Sequence, residues 1–276
     1  MKTNRIYRLL IAAFAMIALS SCIRVNVGGE IDHNYVDSEK LGKVVEKDIE
    51  VEAFTEIDVC GAVQLILLQS EDSLGYSVKV RGNEKSLEKY NIEVLNGKLI
   101  AEQKNDNGIF NGRSPLMTLT VTVPSLDKVM LSGACILRQD SVFHQRQTVL
   151  LEANGAAEIT LNDFEADVLS LNLSGATDVE LHKVNCIGLL QIETSGASDI
   201  EGNVTSQCLF ANVDGAGEID LNIDCSSDVT VNASGAVDVD LSGTCKNLIV
   251  NANKYSSDVD VEHLTVTGIK SVPDSK

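Results

Sequence analysis

Six glycines, Gly133, Gly155, Gly175, Gly196, Gly215 and Gly235, recur at spacings of 22, 20, 21, 19 and 20 residues, each inside a similar segment such as LSGATDVEL (173–181) or ASGAVDVDL (233–241). Self-similarity at this period is the signature of a repeat architecture, so it constrains the fold before any single element does. One earlier copy, CGAVQLILL around Gly61, precedes the run, and a degenerate seventh unit follows at Tyr255 to Val261.

Within each unit the residues four and six after glycine are apolar (Ile159 and Leu161, Val179 and Leu181, Ile219 and Leu221, Val239 and Leu241). Those three and five after it are mostly acidic. A period of two is the pattern of a strand with one buried and one wet face. A second alternating stretch precedes each glycine, as in Leu169, Leu171 and Leu173 or Val229 and Val231. Two short strands with a small-residue corner cannot bury their apolar face alone, whereas stacked units can. Helical periodicity is missing across the stretch, which excludes helical repeats and leucine-rich horseshoes. The expected fold is all-β, a parallel β-helix with coils of about 20 residues advancing about 4.8 Å per rung. Val179, Ile200, Ile219, Val239 and Val259 are expected to share one interior column. Glycine suits the corner because it accepts positive φ.

Residues 43–125 read as a less regular opening section. Phe54, Ile57, Val59, Val63, Leu65 and Leu67 alternate, Ser77 to Val80 is a strand, and Asn83 caps a short helix through Tyr90. Asn96-Gly97 marks a hairpin, Asn105 to Pro115 is a polar loop, and the strand Leu116 to Val123 ends at Pro124. The expected organisation is one β-helix domain, 43–268, with regular repeats over 126–268, a tether at 22–42 and a tail at 269–276.

The first residues read as an address. Lys2, Arg5 and Arg8 precede an apolar run from Leu9 to Leu19 that is too short to span a bilayer. Leu19-Ser20-Ser21-Cys22 resembles a bacterial lipobox, which implies a lipoprotein signal peptide over 1–21 and Cys22 as the lipid-bearing mature N-terminus. Several acyl chains on one residue exceed the single-chain threshold for stable anchoring. Ile23 after the cysteine, in that resemblance, favours passage to an outer membrane.

The formal charge is −18, and loss of residues 1–21 with their three positive charges makes it −21. Phosphate backbones bind through Lys and Arg, so nucleic acid is not an expected partner. Trp is absent and only 4% of residues are aromatic, which leaves no stacking platform of the usual sugar-binding kind. Lys183 is the single Lys or Arg between residues 150 and 245, and no Gly-x-Ser-x-Gly, P-loop or His-Glu-x-x-His motif occurs. No cofactor is implied.

The order of these pieces resembles the bacterial family named putative auto-transporter adhesin, head GIN domain. The resemblance rests on Phe54-Thr55-Glu56-Ile57-Asp58-Val59 with Gly61, on Val121-Thr122-Val123-Pro124, and on the Ser-Gly-Ala corners that begin at 132, 174, 195 and 234. It covers roughly residues 43–265. It implies a secreted or lipid-anchored right-handed parallel β-helix of Gram-negative envelopes with no established catalysis. The expected function is therefore a non-catalytic, lipid-anchored envelope protein presenting an acidic surface for binding or adhesion. Its partners would be the membrane, through Cys22, and an envelope or extracellular ligand. The alternative is a calcium-dependent, polysaccharide-active β-helix enzyme.

Two side-chain columns bear on that choice. Asp178, Asp199, Glu218, Asp238 and Asp258, continuing Glu158, are the candidate cation-binding residues, with a second acidic column two positions on. Ca²⁺ needs about six oxygens and a flat ladder offers few, so a solvated face is the simpler reading. Among the six cysteines after Cys22, Cys186, Cys208, Cys225 and Cys245 fall 10 to 12 residues after their glycine. They read as small buried fillers, although neighbouring rungs are close enough for disulfides.

Overall fold

The computed structural model describes residues 42–104, 117–252 and 256–272. The expected signal segment, Cys22, the expected tether up to residue 41, the expected loop at 105–115 and the start of the seventh unit at Tyr255 lie outside them.

The opening section contributes β1 (Val44–Ile49), β2 (Glu56–Gln69), β3 (Ser77–Asn83), a one-turn helix α1 (Glu84–Leu87), β4 (Tyr90–Leu95), β5 (Lys98–Gln103) and β6 (Met117–Val123). The repeats contribute β7 (Lys128–Gln139), β8 (Phe143–His144), β9 (Thr148–Cys225), β10 (Asp228–Cys245), β11 (Asn247–Ala252), β12 (Asp258–Asp260), β13 (Leu264–Val266) and β14 (Lys270–Ser271). All fourteen strands join one large mixed sheet.

Parallel pairing dominates the sheet, and its register is that of the sequence repeat. β7 pairs with β9 so that Gly133 faces Gly155, and β9 with β10 so that Gly215 faces Gly235. The 78 extended residues of β9 would reach roughly 260 Å if straight. They instead fold back on themselves, because Gly155, Gly175, Gly196 and Gly215 lie one upon the next. Each of these glycines has positive φ, between 114° and 135°. A Cβ on Gly175, Gly196 or Gly215 would come within 2.4 Å of the preceding glycine's carbonyl oxygen. The corner therefore demands glycine twice, for its backbone angle and for the close approach of the next rung.

The alternation resolves as expected. Val179, Ile200, Ile219 and Val239 are at most 1% exposed, and they belong to a single continuous core cluster. Val259 lies in register with Val239 but is only partly buried, because β12 is three residues long at the end of the stack. β14 pairs with Leu248 and Ile249, so sheet structure extends into the segment expected to be a tail.

The opening section is built differently. β2 runs parallel to β7 along one edge, while its other edge meets β5 over Glu56–Cys60 and β6 over Val63–Gln69. From β6 the pairing turns antiparallel, through β3 to β1. β4 and β5 form the expected hairpin, with Asn96 at φ 54° and Gly97 at φ 76°, the two left-handed residues of a two-residue turn. The helix after Asn83 ends at Leu87, short of the expected Tyr90, which opens β4. Asn83 makes no side-chain cap and donates instead to the Gly42 carbonyl at 3.0 Å.

Candidate functional site

From Gly175 onward, residues three and five positions after each glycine lie outside the buried core, whereas Thr160 in the Gly155 unit is covered. Glu218, Asp238 and Asp258 are in direct register, as are Asp220, Asp240 and Asp260. Asp178 and Asp199 occupy the same offset from stacked Gly175 and Gly196, so the five candidate cation-binding residues share one face. The face has a cationic margin at its first rung, where Arg138 donates to Glu158 at 2.8 Å.

Packing carboxylates at rung spacing has an electrostatic consequence. Desolvation, then the charges of Glu180, Glu158 and Glu201, raises the pKa of Asp178 above the ordinary aspartate value. Asp238 is raised by desolvation and by Asp258, Asp240 and Asp260, and Asp240 by desolvation, Asp220 and Asp260. Among the described residues no group of three or more His, Cys, Asp or Glu is arranged to hold a metal ion.

The six described cysteines are free thiols. Ala166, Cys186, Cys225 and Cys245 line the interior, as expected for small fillers. Cys208 does not share their column; the buried Ser206 takes that place, 3.0 Å from the Cys225 sulfur. Burial pushes the Cys186 thiol up to about 12 and those of Cys135 and Cys225 up to about 11, which makes them poor nucleophiles at neutral pH.

A third feature was not found by sequence reasoning. Between the buried Leu181 and Val184 the chain carries two residues, His182 and Lys183, whereas one residue, Asn203, separates Gly202 from Val204, and one, Asn222, separates Leu221 from Ile223. An open groove of about 550 Å³ runs across these corners. Gly202 and Gly243 tighten the short corners at φ 146° and 98°. The 19-residue spacing from Gly196 to Gly215 was the available signal, since it records the lost residue. Lys183 is tied to Asp163 at 2.7 Å, and His144 meets the same carboxylate at 2.9 Å. These hydrogen bonds hold the Asp163 pKa below the usual aspartate range.

A family model described as "Putative auto-transporter adhesin, head GIN domain" matches residues 53–183 and, a second time, residues 181–272. The chain belongs to this family. The two adjacent matches over a GIN-domain chain fit its internal repetition. Solved structures share the fold at low identity. One titled a putative lipid binding protein from Parabacteroides distasonis ATCC 8503 is 18% identical over 84% of this chain and 97% of its own, with a TM-score of 0.57. One titled a putative adhesin from Parabacteroides merdae ATCC 43184 is 17% identical over 84% and 97%, with a TM-score of 0.55. A further protein titled a putative adhesin, from Parabacteroides distasonis ATCC 8503, is 18% identical over 84% and 98%, with a TM-score of 0.50. Among curated proteins no significant match is found. Among the described residues no helix is long and apolar enough to cross a membrane.

Proposed function

We propose that this GIN-domain chain is a lipid-anchored protein of the cell envelope, whose rungs wind as one right-handed parallel β-helix over residues 43–268 and present a non-catalytic surface for binding or adhesion. The observation that carries this reading is the family membership of residues 53–272 together with in-register outward columns that repeat from rung to rung. Parallel pairing at offsets of about 20 residues supports the winding, and parallel crossovers are overwhelmingly right-handed. The lipobox ending in Cys22 supports anchoring by lipid, with residues 1–21 removed and residues 22–42 as the tether. Ile23 supports an outer-membrane destination. The acidic surface, with 17 acidic residues and one basic residue over 150–245, disfavours nucleic acid.

The candidate cation-binding acids lie on a ladder, away from the groove, where Asp224 is the single carboxylate lining the wall. Catalysis of polysaccharide cleavage needs carboxylates, a cation and a base converging on one bond, so this separation supports a binding surface over an enzyme.

The reading is tested in cells fed a fatty-acid probe. The wild-type chain is expected to take up label and to sediment with membranes, and Cys22→Ala to do neither. Equal labelling of both forms would contradict the anchoring. Removal of residues 43–268 behind an intact Cys22 is expected to reduce attachment of cells to a surface or to one another.

A further inference from the structure

We infer that the corner groove running from Lys183 to Thr244 is a binding site for an uncharged linear oligosaccharide. This deepens the surface-binding reading and rests on it.

The groove crosses four successive rungs, from His182 and Lys183 through Asn203 and Asn222 to Gly243. Three rung steps make it about 14 Å long. Its polar groups repeat at the rung spacing, a step close to the advance of one pyranose in an extended sugar chain. Two short hydrogen-bonded runs order these groups. Ser242 donates to Asn222 at 3.5 Å, and Asn222 donates in turn to Asn203 at 3.1 Å. In the neighbouring column Thr244 donates to Asp224 at 3.0 Å. The first run stops at Asn203, whose carbonyl is used and whose amide hydrogens have no protein partner among the described residues. Thr205 beside it likewise keeps its hydroxyl available. Paired donors and acceptors on exposed amides and hydroxyls match sugar hydroxyl and acetamido groups, each of which both donates and accepts.

Other occupants fit less well. The main chain under the groove is already paired rung to rung, so an added peptide strand has no free backbone edge there. Lys183 is neutralised by Asp163, and the surrounding acidic surface repels an anion. Uronic acids, sulfated glycans and phosphate compounds are disfavoured for that reason. No Phe, Tyr or Trp lines the wall, so a single site is expected to bind with a Kd on the order of 1 mM, and retention to come from many anchored copies acting together.

The test uses the soluble residues 43–276, labelled with ¹⁵N, and three uncharged probes: cellohexaose, α-mannohexaose and hexa-N-acetylchitohexaose. Hexagalacturonate is the charged control. At least one uncharged probe is expected to shift the side-chain amide signals of Asn203 and Asn222 saturably, with affinity at least about tenfold above that of hexagalacturonate. Asn203→Ala and Thr205→Val, each with an unchanged thermal midpoint, are expected to weaken that binding about tenfold. Asn232→Ala, whose residue bonds Asn251 outside the groove, is expected to leave it intact. No shift from any of the three, equal binding of hexagalacturonate, or full binding by Asn203→Ala would overturn the inference. Cells that lose attachment with the domain deleted but keep it with Asn203→Ala would leave the surface-binding reading standing without this site.

Discussion

Gly97 in the opening hairpin and Gly196 in the repeats both have positive φ, 76° and 131°, yet they answer different demands. A side chain on Gly97 would meet nothing within 4 Å, while one on Gly196 would lie 2.4 Å from the carbonyl oxygen of Gly175. The same contrast separates the two regions. The opening section closes with varied devices: an antiparallel β6–β3–β1 series, a hairpin, and Tyr90, whose hydroxyl exchanges hydrogen bonds at 3.2 Å with the Ala62 amide and carbonyl beside Gly61. The repeats use one device, parallel pairing of each rung with the one before it. Charge follows the division, with 12 acidic and 8 basic residues over 42–104 against 17 and one over 150–245. A chain that must end its sheet uses varied pairing and mixed charge; a chain that only propagates can repeat one solution.

Substitution at the two glycines should separate the regions most. Gly196→Ala combines backbone strain with collision against a rung that cannot move alone, and should cost about 5 kcal/mol or prevent folding. Gly97→Ala carries only the left-handed penalty, about 1–2 kcal/mol. Urea midpoints of the two variants check this, and equal losses would erase the distinction. Next in size, Ile219→Ala should cost about 3 kcal/mol, against about 1 kcal/mol for the half-buried Val259→Ala at the end of the stack. Tyr90→Phe should then remove about 1–2 kcal/mol by leaving the Ala62 groups short of a partner, a loss confined to the opening section.

The smallest effect concerns the acids. Asp178, Asp238 and Asp240 have folded-state pKa values raised above the ordinary 3.8, so each costs stability at neutral pH, and the cost is relieved as pH falls through the folded pKa. Asp163 acts the other way: its lowered value stabilises above 3.8, and that contribution is lost as pH falls through its folded pKa. Asp178→Asn with Asp238→Asn should therefore raise the neutral-pH midpoint by the equivalent of a few tenths of a kcal/mol and flatten its rise on acidification. Millimolar Ca²⁺ should do no more than a monovalent salt of equal ionic strength, because the ladder supplies few oxygens per ion. A calcium-specific rise abolished by Asp199→Asn with Glu218→Gln would restore the cation-site reading.

Where a side chain's role is set by its rung, the sequence was readable. Gly196, Ile219 and Asp238 each sit at a fixed offset, so a count of residues placed them at the corner, inside and outside. Asn96-Gly97 was equally legible, since few dipeptides accept two left-handed residues in a row. Legibility failed where a loop length changed. Ser206 displaced Cys208 from the interior, and the groove formed, because one residue is missing between Gly202 and Val204. A period averaged over the whole chain hides such a local loss. The ends were also obscure: β14 pairs after the pattern has faded, because an unpaired last rung recruits whatever strand can reach it.

One repeat makes one rung, and successive rungs stack in register. The distance between spin labels at Ser132→Cys and Ser234→Cys, measured by pulsed electron paramagnetic resonance on residues 43–276 in a Cys60→Ser, Cys208→Ser background, reads this stacking. The two positions are five rungs apart in the glycine-corner column, so the expected label separation is about 24 Å, and Asn154→Cys in place of Ser132→Cys should shorten it by about one rung, near 5 Å. A separation beyond about 40 Å, or one that does not change with the rung count, would contradict the stacking.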